Sequence, residues 1–267
     1  MKRSIILLLF VMIAGSCSRL TKILRNPDID EKYKAAINFY DNEDYYRAGL
    51  VFEDLLPNMM GRKEAEFVQF YYAYCHYHQR QYDLAAYYFK QFYDTYRRSE
   101  FAEEALYMHA YSNYKGTPDY NLDQSNTNTA VESMQDFLNI YPTSSYVEEG
   151  TRIIDELREK LELKAYNIAK QYQKLRRYKA AVIAYENFQN DFPDSDLKEE
   201  ISFKRVEAQY ELSKLSIQSL KEERYQKTLE YYYYLLDRFP ESEYIEDAQS
   251  IFKNTQRELA DLGVAVN

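Results

Sequence analysis

Three histidines, two cysteines and several paired carboxylates are the residues in this chain whose types could do chemistry. His76 and His78 are two apart, so on a helix they diverge, while Cys75 and His78 share a face but supply only two ligands. His109 falls in another segment. No metal is expected from these spacings. Glu103-Glu104, Glu148-Glu149 and Glu199-Glu200 sit where helices begin, and the positive end of the helix dipole accounts for them without a catalytic role. The sequence has no glycine-rich phosphate loop, nucleophile elbow or HExxH motif. It therefore reads as a non-enzyme with no cofactor. Cys75, inside Phe70-Tyr71-Tyr72-Ala73-Tyr74-Cys75, reads as a buried structural thiol.

The other cysteine belongs to a different chemistry. Met1-Lys2-Arg3 is a basic start, Ile5 to Ala14 is almost wholly apolar, and Ala14-Gly15-Ser16 places small residues directly before Cys17. The apolar run is too short to span a bilayer, which takes about 20 helical residues. The three-part pattern ending in cysteine resembles the lipobox of bacterial lipoproteins, which implies removal of residues 1–16 and acylation of Cys17. Several acyl chains anchor a protein stably where one would be marginal. Ser18, by resemblance to Gram-negative sorting rules, favours the outer membrane. Residues 17–30 read as the lipidated cysteine and its tether.

What positions any further function is a repeat scaffold. With 30 Tyr and 14 Phe but only 6 Gly and 6 Pro, the chain lacks the turn residues that an all-β or alternating βαβ fold needs. A small residue is followed four later, and again three later, by large apolar ones: Ala48/Phe52/Leu55, Ala85/Phe89/Phe92, Ala130/Met134/Phe137, Ala181/Tyr185/Phe188 and Thr228/Tyr232/Leu235. Four units close on a common phrase, Tyr96-Arg97-Arg98-Ser99, Tyr141-Pro142-Thr143-Ser144, Phe192-Pro193-Asp194-Ser195 and Phe239-Pro240-Glu241-Ser242, in which the aromatic anchors the helix end, Pro, present in the last three, stops the helix and Ser caps the next. Residues 31–267 therefore read as an all-α, tetratricopeptide-like superhelix of five helix pairs. Ala36, Ala73, Ala110 and Ala169 take the small position of first helices, and the repeat period exceeds the usual 34 residues. Ser145 to Arg176 and Leu197 to Glu223 lack proline, so each is expected to be one long helix shared by adjacent repeats. Lys115 to Asn128 reads as an inserted loop.

The lipobox, the short tether, five enlarged repeats and the recurrent Tyr/Phe-Pro-x-Ser closures together resemble the BamD family, lipoproteins of the outer-membrane β-barrel assembly machinery. The resemblance implies a periplasm-facing scaffold on the outer membrane that grips the periplasmic domains of the barrel-forming BamA subunit and helps deliver unfolded outer-membrane proteins. Two other readings are a CpoB-like periplasmic adaptor and a SusD-like glycan-binding lipoprotein. The first is set against the lipidated cysteine and the lack of an N-terminal coiled coil, the second against the absence of Trp for stacking sugars. A formal charge of −9, more negative once Lys2 and Arg3 are removed, argues against nucleic acid as a partner.

The chain itself suggests where a protein would bind. Tyr71, Tyr72, Tyr74 and Tyr77 crowd one first helix with more aromatics than a single buried face takes, so they are candidates to line a groove; the alternative is that they fill the core. Tyr231-Tyr232-Tyr233-Tyr234 point all round a helix, and Tyr233 is the candidate interface residue.

Overall fold

The computed structural model describes residues 19–59 and 61–264, so the leader, Cys17 and Ser18 lie outside the described residues. The chain divides between Arg158 and Glu159 into two compact units, both helical, with no strand among the described residues. Unit 1 holds α1 (Ile29–Asp41), α2 (Tyr45–Leu55), α3 (Ala65–His78), α4 (Tyr82–Thr95), α5 (Ala102–Lys115) and α6 (Ser125–Ile140). The boundary falls inside α7 (Val147–Lys174). Unit 2 continues with α8 (Tyr178–Asp191), α9 (Lys198–Lys214), α10 (Gln218–Arg238) and α11 (Ile245–Asp261). The helices from α1 to α10 form tetratricopeptide-like pairs, and α11 follows the last of them.

The small-residue register is where the pairs lock. Ala36, Ala73, Ala110 and Ala169 on first helices, and Ala48, Ala85, Ala130, Ala181 and Thr228 on second helices, have no exposed surface. A side chain no larger than a methyl lets two helices approach closely, and the ring or thioether one turn on fills the space beside the crossing. Phe52, Phe89, Met134 and Tyr185 are correspondingly fully buried. Thr228 fits the same place because its hydroxyl meets that of Ser213, also fully buried, at 3.2 Å across α9 and α10.

The closing phrases fold alike. Tyr96, Tyr141, Phe192 and Phe239 each leave the helix with φ between −121° and −137° and ψ between 51° and 65°. Tyr96 does so without a following proline, so proline reinforces a geometry that the aromatic anchor already adopts. The serines differ from expectation. Ser99, Ser144, Ser195 and Ser242 each accept from the amide two residues on, at 2.9–3.3 Å, which closes a turn ahead of the helix and does not cap the helix itself.

Other elements depart from the sequence reading. Val147–Lys174 is one long helix as expected, whereas Leu197 to Glu223 is not: α9 stops at Lys214 and α10 starts at Gln218. Ile217 is extended, so the ladder ends without proline, and Ser216 donates to the Leu212 carbonyl at that end. The inserted loop is shorter than expected because α6 begins at Ser125. Asp123 accepts from the Ser125 amide at 2.9 Å, and buried Gln124 donates to the carbonyls of Asp119 and Leu122. Residues 19–25, read as tether, are helical, and Leu20, Ile23 and Leu24 pack against the α1–α3 core.

Three pairs turn on the same motif. Glu43, Arg80 and Arg176 have φ of 60°, 61° and 55°, and the residue after each donates five residues back, to Phe39, His76 and Tyr172 at 2.9–3.0 Å. This is a Schellman closure with a side chain where glycine is unstrained. Arg80→Gly is expected to stabilise the protein by about 0.5–1 kcal/mol and Arg80→Val to destabilise it. Thermal unfolding of both checks this, and a destabilised glycine variant would contradict the strain.

Candidate functional site

The first helices of unit 1 carry a shared aromatic register. Counted from the small residue, the fourth position after it is Tyr40, Tyr77 and Tyr114, the first after it is Tyr74 and Tyr111, and the third before it is Tyr33, Phe70 and Tyr107. Those offsets lie on one helix face. Ring contacts carry the face from repeat to repeat. Tyr33 meets Phe67 at 6.1 Å, Tyr40 meets Tyr71 edge-on at 4.7 Å, Tyr77 meets Tyr111 at 6.2 Å, and Tyr107 stacks on Tyr146 at 4.1 Å. His78 stacks on Tyr45 at 4.1 Å.

Of the four tyrosines singled out by crowding, three lie in this wall. Tyr71 stacks on Phe67 at 4.1 Å, and Tyr74 and Tyr77 follow it along α3; all three are half-buried. Tyr72 is elsewhere. It is 5% exposed and packs against Tyr88 and His76 in the core around α2 and α3, because the residue next to Ala73 on its other side faces the partner helix. Crowding alone missed Tyr40, Tyr111 and Tyr114, which the offset from the small residue would have identified.

Carboxylates tie the wall together. Tyr74 donates to Glu104, at the start of α5, and Tyr114 donates to both oxygens of Glu156 at 2.9 Å. In unit 2 Tyr166 donates to Glu200 at 2.6 Å. Glu104 and Glu200 are thus more than dipole partners: each receives a hydroxyl from the first helix of the preceding repeat. Burial raises the pKa of Tyr40, Tyr74 and Tyr107, and the bond to Glu104 raises Tyr74 further. Burial, with Tyr111 and Tyr82 beside it, pushes Tyr77 up to about 12. At neutral pH the wall is a set of neutral hydroxyls and rings edged by carboxylates. Such a surface offers flat apolar area with hydrogen-bonding handles and suits extended chain bearing aromatic side chains.

In unit 2, Tyr231 and Tyr232 are buried, while Tyr233 and Tyr234 are 47% and 48% exposed and line an open hollow with Leu236, Asp237 and Pro240. Tyr232 stacks on Phe252 at 4.6 Å, which holds α11 against α10. Cys75 is fully buried, and burial pushes its thiol up to about 12, whereas His78 faces solvent, so the two do not converge. His109 bonds the Ala86 carbonyl at 2.8 Å. Among the described residues no cluster of three or more His, Cys, Asp or Glu side chains is placed to hold a metal.

A family model, YfiO, described as outer membrane lipoprotein, matches residues 26–226. The match takes in α1 to α9 and the aromatic wall and ends within α10. No curated protein is matched by the sequence.

Because the folded state holds these tyrosines neutral, their contribution to stability is complete below the ordinary tyrosine value of about 10 and is lost as pH rises through the raised folded values. Absorbance at 295 nm is expected to show the wall tyrosines ionising together with loss of helix above pH 10. Full ionisation near pH 10 with the helix signal intact would contradict their burial.

Proposed function

The chain belongs to the YfiO family of outer membrane lipoproteins, which is the BamD family, and on that premise we propose that it is a periplasm-facing scaffold of the β-barrel assembly machinery. In this role it grips the periplasmic domains of a BamA-type barrel subunit and helps receive unfolded outer-membrane proteins. The observation that carries the substrate half is the partly exposed tyrosine ladder on α1, α3 and α5. Strands of an unfolded barrel protein alternate apolar and polar side chains, with aromatic ones at the membrane interfaces, and an extended segment can lay rings against the ladder while its amides and hydroxyls meet Glu104, Glu156 and the tyrosine hydroxyls. The carboxylate edge suits basic side chains and disfavours acidic ones.

Attachment in this reading falls to Cys17, since no helix among the described residues is long and apolar enough to cross a membrane. Acylation there leaves both helical units on the periplasmic side of the membrane. The leader and Cys17 precede the family match, so the anchor rests on the lipobox itself.

Affinity recovery of the acylated protein from detergent-solubilised envelopes is expected to bring down a BamA-type barrel subunit, and recovery without one would remove the assembly role. Cys17→Ala is expected to leave an unprocessed or soluble precursor; membrane fractionation like that of the unaltered protein would refute lipidation.

A further inference from the structure

Unit 2 carries a basic and apolar patch that neither the tyrosine ladder nor the anchor uses. From Leu163 to Tyr185 the sequence has no Asp or Glu, although the chain has 43 acidic residues, and it carries Lys164, Lys170, Lys174, Arg176, Arg177 and Lys179. Lys174, Arg176, Arg177 and Lys179 are exposed, and among the described residues none of them pairs with a carboxylate. Beside them, large apolar side chains face water. Leu175 in the α7–α8 turn is 61% exposed, Leu215 and Ile217 in the α9–α10 turn are 69% and 68% exposed, and Ile183 on α8 is 48% exposed. The two turns belong to successive helix pairs, and an open hollow of about 440 Å³ lined by Arg176, Lys179, Ala180, Ile183, Leu212 and Leu215 joins them.

We propose that these two turns rest on the bilayer to which the protein is anchored, with Leu175, Leu215 and Ile217 inserted at the depth of the headgroups and upper acyl chains and Arg176, Arg177 and Lys179 on anionic phospholipid headgroups. The charge argument selects the occupant: unpaired cations gathered in an acidic protein complement an anionic surface. The placement favours a bilayer over a protein, because the apolar side chains are clustered at turn tips, Leu175 between Lys174 and Arg176 and Leu215 across the hollow from Arg176 and Lys179. Tyr172 and Tyr178 flank them, and an aromatic ring with a hydroxyl suits the interface between lipid and water. The acyl anchor keeps the chain at high local concentration near the membrane, so a weak second contact suffices. The inference extends beyond the scaffold role and depends only on the protein being membrane-anchored.

The absence of Trp allows one introduced indole to report the contact. Mature lipoprotein carrying Leu215→Trp is placed in vesicles of phosphatidylethanolamine and phosphatidylglycerol, with or without brominated acyl chains. The bromines are expected to quench its emission about twofold or more, and to leave the emission of a Tyr234→Trp protein nearly unchanged. Adding Arg176→Glu, Arg177→Glu and Lys179→Glu, with the circular dichroism retained, is expected to abolish the difference, because each basic residue near such a surface strengthens partition roughly fivefold. Equal quenching at both positions, no quenching, quenching indifferent to charge reversal, or shielding of the indole only when envelope proteins are added would each overturn the proposal. The last result would assign the patch to a protein.

Discussion

Helix crossings that admit only a methyl or a hydroxyl determine the rest of this structure. Ala36, Ala73, Ala110 and Ala169 on first helices, with Ala48, Ala85, Ala130, Ala181 and Thr228 on second helices, have no exposed surface. Overfilling such a crossing costs about 1–3 kcal/mol, a large fraction of a typical domain's stability. Fixing which residue sits at the crossing also fixes the rotation of each first helix. Every other position then has an assigned direction, and rings one and four places later sit at the seam, touching the second helix of their own pair and the first helix of the next.

That rotation explains why tyrosine is so abundant. A ring at those positions is partly covered by the first helix of the next repeat and partly exposed, and phenylalanine there would expose apolar edge without a polar partner. Tyrosine covers the inter-repeat seam and sends its hydroxyl outward to Glu104 or Glu156. The same bonds stitch one repeat to the next, so the surface proposed to receive a chain also holds the stack together. Only nearest-neighbour repeats need to touch for this to work, as in other solenoids.

Much of the fold was legible in the sequence because it follows from spacing. The five small-residue positions, the closures at Tyr96, Tyr141, Phe192 and Phe239 and the long helix from Val147 to Lys174 all came from pattern alone. What pattern could not supply was hydrogen bonding by side chains. Ser216 bonds to the Leu212 carbonyl where α9 ends, Gln124 shortens the inserted loop, and Glu43, Arg80 and Arg176 take left-handed turns that glycine usually marks. In the site, crowding of aromatics located α3 but could not separate Tyr72, which faces the core, from Tyr71, Tyr74 and Tyr77. The separation depends on helix rotation, and that is set by Ala73.

In the role proposed for it, the ladder of this outer membrane lipoprotein holds an extended chain weakly and lets it go. Neutral hydroxyls, ring faces and a few carboxylates do so without burying a charge. The most direct measurement is light-induced crosslinking in cells from a photoreactive phenylalanine placed at Tyr77 in the wall or at Tyr87, which is 59% exposed on the second helix of the same repeat. Adducts with newly made outer-membrane barrel proteins from Tyr77, and few from Tyr87, are the predicted result. Equal adducts from both positions, or adducts from Tyr87 alone, would contradict a substrate-receiving wall.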